Sequence, residues 1–231
     1  THIEGIDTFN CLMIGATGSG KTVVMIWIVN LLLQSDLAHD MIIAWYNMPE
    51  SWLKTIDKYF PKYWKGKQTL ASDLNDITEL KNHYSIVVVI SDEMSRDFNA
   101  KSALSKQSTG MEKAFALFRQ TGIIFIGNTQ VKNISKQLIK SFQFRFYKGN
   151  TNEFIRQTDD EFSKDNAEFI VMMLNKFRKP YSLLSVNHQD FYDENGDRIE
   201  TGMLYFDARK DLKFMFDEEG NAIEEISKGY K

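Results

Sequence analysis

A chain of 231 residues with 43% apolar content can bury an extended core, and a formal net charge of −3 excludes a surface coated uniformly in Lys and Arg for nucleic acid. Any nucleic-acid contact is therefore expected to be local. The single cysteine, Cys11, excludes disulfides within the chain, favours an intracellular setting and, inside the apolar run FNCLMIG, reads as a packing residue.

The first predicted element is the strand CLMIG, followed by the turn GATGSGKT and a helix from about residue 20 to 34. Gly15, Gly20, Lys21 and Thr22 satisfy G-x-x-x-x-G-K-[ST] in the strand-to-helix context that the pattern needs. Gly15, Ala16, Thr17, Gly18, Ser19 and Gly20 are expected to wrap backbone N–H groups around phosphate oxygens at a helix N-terminus. Lys21 then reaches the β and γ phosphates, and Thr22 binds Mg²⁺. The apolar run VVMIWIVNLLL at 23–33 is too short to cross a bilayer and contains Asn30, so a buried helix without membrane insertion is expected.

Next come the strand MIIAWYN and a helix near 50–59, then the segment DKYFPKYWKGKQ, where lysines interleave with aromatics. The strand SIVVVIS ends at Asp92 and Glu93, which has the form of a Walker B element. Asp92 is placed to support Mg²⁺ and Glu93 to act as general base on the attacking water; two successive acids after a buried strand suit hydrolysis. GTPases are set aside because Asp92 is followed by EMS and no Asn-Lys-x-Asp base-reading motif occurs. Small-molecule kinases fit poorly, since a hydrolytic Glu93 beside Asp92 would waste ATP.

A helix near 109–120 and the strand GIIFIGN complete a βαβ rhythm that predicts a parallel sheet. After about residue 142 the texture changes to FQFRFYKG, a helix at 160–177, YSLLSVNH and MLYFDAR, with ENGD and EEGN as turn signals. This end is expected to be antiparallel, either extending the main sheet or standing apart. With only three scattered prolines and no linker, residues 1–231 read as one α/β domain, with a core at about 9–147 and an α+β extension at 148–231.

The stretch FRQTGIIFIGNTQ, residues 118–130, together with GATGSGKT, resembles the FtsK-HerA superfamily of DNA-pumping ATPases. The resemblance covers roughly residues 9–147 and implies a RecA-like, additional-strand P-loop fold with the Gln-bearing strand between the phosphate-loop and acid strands. It implies that Gln130 senses the γ-phosphate and that Arg119 is a finger completing a neighbouring subunit's site, with Arg96 and Arg145 as competitors. It also implies ATP and Mg²⁺ as ligands, double-stranded DNA as partner and a homo-oligomeric ring, expected to be hexameric. The sequence carries no barrel, anchor or winged helix, so the expectation narrows to minimal members that package viral genomes. Capsid or virion membrane proteins would then be partners, and the host cytoplasm the setting. Conjugation-type or filamentous-phage extrusion motors, and a nucleotide-gated scaffold with little turnover, are the alternatives.

For DNA, RDFNAKSALSKQSTGMEK after Glu93 is preferred, with Arg96, Lys101, Lys106 and Lys113. The other candidate is the Lys58–Lys67 stretch, which also reads as an amphipathic helix with snorkelling lysines and packed rings. The acidic run FDEEGNAIEE is expected to lie on an outer face.

Overall fold

A computed structural model describes residues 8–94, 118, 121–130, 141–148, 172, 181–186, 192, 195–197, 201–205 and 207–228. Eight strands form one sheet: β1 (Asn10–Gly15), β2 (Met41–Tyr46), β3 (Gln68–Ala71), β4 (Ile86–Ser91), β5 (Ile123–Thr129), β6 (Phe144–Lys148), β7 (Tyr181–Val186) and β8 (Thr201–Tyr205). Their order is β3-β2-β4-β5-β1-β6-β7-β8. The six strands from β3 to β6 are parallel. β7 and β8 add antiparallel pairs, so the carboxy-terminal strands extend the main sheet.

The strands β1, β2, β4 and β5 are apolar along nearly their whole length because both faces are covered. Alternate residues divide between two cores. Met13, Ile43, Trp45, Val88, Ile90 and Ile126 pack on the side of α1 (Lys21–Gln34), while Leu12, Ile14, Val87, Val89 and Phe125 pack on the other. The helix α1 is apolar around most of its circumference and is buried accordingly, as its sequence predicts.

The buried amide of α1 ties the helix to its neighbours. Asn30 Oδ1 accepts from Tyr63 Oη at 2.7 Å and Trp64 Nε1 at 3.0 Å. Those partners lie just beyond α2 (Glu50–Tyr59), which follows Pro49 and buries Trp52 and Ile56 one turn apart. Phe60 and Trp64 are core residues too. Phe60 and Trp64 of the Lys58–Lys67 stretch are therefore packing, whereas Lys62, Tyr63 and Lys65 remain exposed.

Two elements go beyond the expectations from sequence. The strand β3 has only four residues, and α3 (Leu74–His83) is largely polar, with Ile77 as its buried residue. What fixes α3 is a capping box in which Asp73 accepts from the Asp76 amide and Asp76 accepts from the Asp73 amide. After β8, the short helices α4 (Ala208–Asp211) and α5 (Glu224–Lys228) press Leu212, Met215 and Ile226 into the core beneath α1. The acidic run folds back on α2, where Glu225 accepts from Lys58 Nζ at 3.3 Å and Tyr59 Oη at 2.6 Å. The helices expected near 109–120 and 160–177 lie outside the described residues except for Phe118 and Met172, both helical.

Candidate nucleotide site

The strand β1 delivers its chain to Gly15, and the following turn closes through Ser19 N–H to Ala16 O at 3.2 Å. Gly18 and Gly20 take φ of 74° and 90°, left-handed values that side chains rarely adopt, and so bend the loop over the start of α1. Gly20 is the N-cap and provides no side-chain acceptor, so the first-turn N–H groups of α1 face the loop's hollow uncapped. Lys21 Nζ sits in that hollow, donating to Gly15 O at 2.9 Å and Ala16 O at 3.1 Å. Burial lowers its pKa, while the charges of Glu93 and Asp92 oppose the shift.

Opposite the loop, β4 ends and Asp92 Oδ1 accepts from Thr22 Oγ1 at 3.2 Å and from Asn128 Nδ2. Burial raises the Asp92 pKa; the bonds from Asn128 and Thr22 oppose this, Glu93 adds to it, and Lys21 opposes it. Glu93 adopts φ 77°, a left-handed conformation costly for a residue with a side chain. Its N–H donates to Asn128 Oδ1 at 3.0 Å, which helps to hold that conformation. From the tip of β5, Gln130 Nε2 donates to Thr17 Oγ1 at 2.9 Å and to Glu93 Oε2 at 3.3 Å. One amide thus spans the loop and the acid.

Gly15 to Thr22, Asp92, Glu93 and Gln130 accordingly converge at the carboxyl ends of β1, β4 and β5, where open parallel sheets bind ligands. β5 lies between β4 and β1, as the resemblance implied. Arg119, Arg96, Lys101, Lys106 and Lys113 lie outside the described residues. Arg145 is described: it is buried within β6, in register with Leu12 and Ser185, a position unsuited to reaching another subunit. Two residues at the site are not marked out by the sequence. Asn128 is legible there only as a polar strand tip, and Lys148 only as the charge ending FRFYK.

A family described as "Type III restriction enzyme, res subunit" matches residues 6–111. No curated protein matches the sequence. Among solved structures, the genome packaging NTPase B204 from Sulfolobus turreted icosahedral virus 2 in complex with ATP-gammaS is 16% identical with a TM-score of 0.58, covering 81% of this chain and 96% of that one. Its sulfate complex is 19% identical with a TM-score of 0.57, covering 84% and 96%. The DNA-packaging ATPase B204 from Sulfolobus Turreted Icosahedral Virus is 17% identical with a TM-score of 0.58, covering 85% and 98%. At such identities the likeness is one of fold. By that fold and by the residues gathered around Lys21, this chain is a P-loop ATPase.

Proposed function

We propose that this chain, acting as a motor subunit in a ring, couples ATP hydrolysis to movement of double-stranded DNA, and that it serves to package a viral genome. The observation that carries the reading is the bridge from Gln130 to both Thr17 and Glu93, made by a strand inserted between the loop strand and the acid strand. A group in contact with both the loop and the acid is placed to respond to a γ-phosphate and to pass that response to the acid. The genome packaging role of B204, whose chain is aligned over nearly its full length, supports packaging in particular.

In this reading the loop residues Gly15 to Gly20 and Lys21 hold the ATP phosphates, and Glu93 accepts a proton from the attacking water. Thr22 and Asp92, two hard oxygen donors 3.2 Å apart, fit Mg²⁺ and are the residues that would hold it. Mg²⁺, when bound, draws charge from the β and γ phosphates. Arg119 of one subunit completes the site of the next. DNA contact falls to the lysine-bearing stretch after Glu93, because Lys58 is paired with Glu225, and Phe60 and Trp64 are core. Among the described residues no helix is long and apolar enough to cross a membrane.

The test is ATPase rate with and without duplex DNA, together with displacement of a triplex-forming strand from that duplex. Stimulated hydrolysis with ATP-dependent displacement is expected. Hydrolysis indifferent to DNA would remove the motor, and ATP-tightened assembly without phosphate release would favour the scaffold.

A further inference from the structure

The edge of the loop opposite Asp92 is formed by β6. Gly15 and Lys148 are register partners in the parallel pair β1–β6, and a Cβ on Gly15 would run into the Lys148 carbonyl. Backbone therefore lies directly against backbone at the root of the loop. Lys148 alternates with Phe144 and Phe146, which pack on the α1 side of the sheet, and it is itself 2% exposed. Its side chain runs beneath the loop: a Cβ on Gly20 would lie 3.7 Å from both Cε and Nζ of Lys148. Gly20 is the N-cap of α1, so this amine is buried beside the positive end of the helix.

That arrangement is costly in the nucleotide-free protein. Two lysines and a helix N-terminus crowd one short loop, and burial pushes the Lys148 amine down to about 8. A structural lysine is normally placed with its head toward water, stem along the core. Here the head goes inward, beside the loop, where its charge favours any polyanion seated there.

We propose that Lys148 is a second phosphate-attracting cation of the nucleotide site, acting in cis from beneath the loop and setting its preference for highly charged nucleotides. This rests on the reading of the loop as an ATP site. Lys148 acts electrostatically on bound phosphates through its place beside Gly20 and is not a catalytic residue. Its attraction acts on ground state and transition state alike, so it belongs to affinity more than to turnover.

Dissociation constants for ATP, ADP and AMP should be measured for wild type, Lys148→Met and Lys148→Arg, alongside steady-state ATPase. Removal of the charge should weaken ATP by roughly ten-fold, ADP by roughly three-fold and AMP by less than about two-fold, because the Coulomb energy scales with phosphate charge. KM should follow the ATP dissociation constant, and kcat should fall by a smaller factor than KM rises. Lys148→Arg should retain the wild-type order and spacing of the three affinities. Equal losses for all three nucleotides would assign Lys148 to packing alone and overturn the proposal, as would unchanged ATP affinity or an Arg variant that behaves like Met. Lys148→Gln, which keeps a polar head in the same space, replaces Met if that variant does not unfold cooperatively. A wild-type chain that binds no ATP would overturn the nucleotide reading itself, whereas wild-type binding with uniform losses removes only Lys148.

Discussion

Asn128 ties Asp92 to Glu93: its amide nitrogen donates to the Asp92 carboxylate while its carbonyl oxygen accepts the Glu93 N–H. The tie crosses from β5 to the end of β4 and holds Glu93 in its left-handed conformation. Replacing Asn128 by Ala removes both bonds and lets Glu93 relax to ordinary backbone angles. ATP hydrolysis should fall by roughly ten- to a hundred-fold while ATP affinity changes by less than about three-fold. Single-turnover hydrolysis and equilibrium binding, measured side by side, check the separation.

Glu93→Gln retains the size of the side chain but cannot take a proton. It should bind ATP with near wild-type affinity and hydrolyse it at least about a hundred-fold more slowly, whereas Lys21→Ala should lose binding first. Equal turnover by Glu93→Gln and wild type would remove Glu93 as the base.

Asp92 is expected to cost stability in return for its place in the site. Burial raises its pKa, so the unfolded chain holds the carboxylate more comfortably than the folded one. The sign follows: folding is favoured while the group is protonated, and that advantage is lost as pH rises through the folded pKa. At neutral pH, Asp92→Asn should therefore raise the melting temperature of the nucleotide-free protein while abolishing Mg²⁺-dependent ATPase. The gain should shrink as the pH is lowered toward the carboxylate range, which melts at a series of pH values will show.

If Arg119 acts in trans, two inactive variants should rescue each other. Lys21→Ala cannot hold ATP but still offers Arg119, and Arg119→Ala holds ATP without the finger. A finger supplied by a neighbour contributes roughly three to five orders of magnitude to turnover, so each pure variant should be nearly inactive and a mixed ring measurably active. Subunit exchange demonstrated by labelling, with ATPase still absent, would leave Arg96 as the next residue to test.

Asn30 should matter to stability and not to turnover. Its Oδ1 is the acceptor for Trp64 Nε1, and Trp64 is fully buried. Asn30→Ala strands that N–H in an apolar core and should cost about 1–3 kcal/mol in denaturant unfolding. Tyr63→Phe should cost less, because Tyr63 is 41% exposed and its hydroxyl can turn to water.

The sequence by itself determined the elements whose signals are local. GATGSGKT between an apolar strand and an apolar helix leaves few alternatives to a phosphate loop, and SIVVVIS followed by two acids places a carboxylate pair at a strand end. The antiparallel pairs that β7 and β8 make were legible from alternation and turn signals, but FQFRFYKG, expected to belong to that antiparallel end, supplies β6, whose pairing with β1 is parallel. What the tertiary structure decided is everything that depends on which strand lies beside which. YSLLSVNH and MLYFDAR carry no mark of whether they join the main sheet; pairing with β6 decides it. The aromatics between Tyr59 and Trp64 read from sequence more as packing than as a DNA surface, and the contacts with Asn30 and Phe214 decide it. Lys148 lies far beyond Lys21 in the chain, and nothing local distinguishes it from any lysine ending a strand. Only the parallel register that sets it against Gly15 brings a second ammonium under the loop, because charge acts through space and sequence separation gives no measure of that distance.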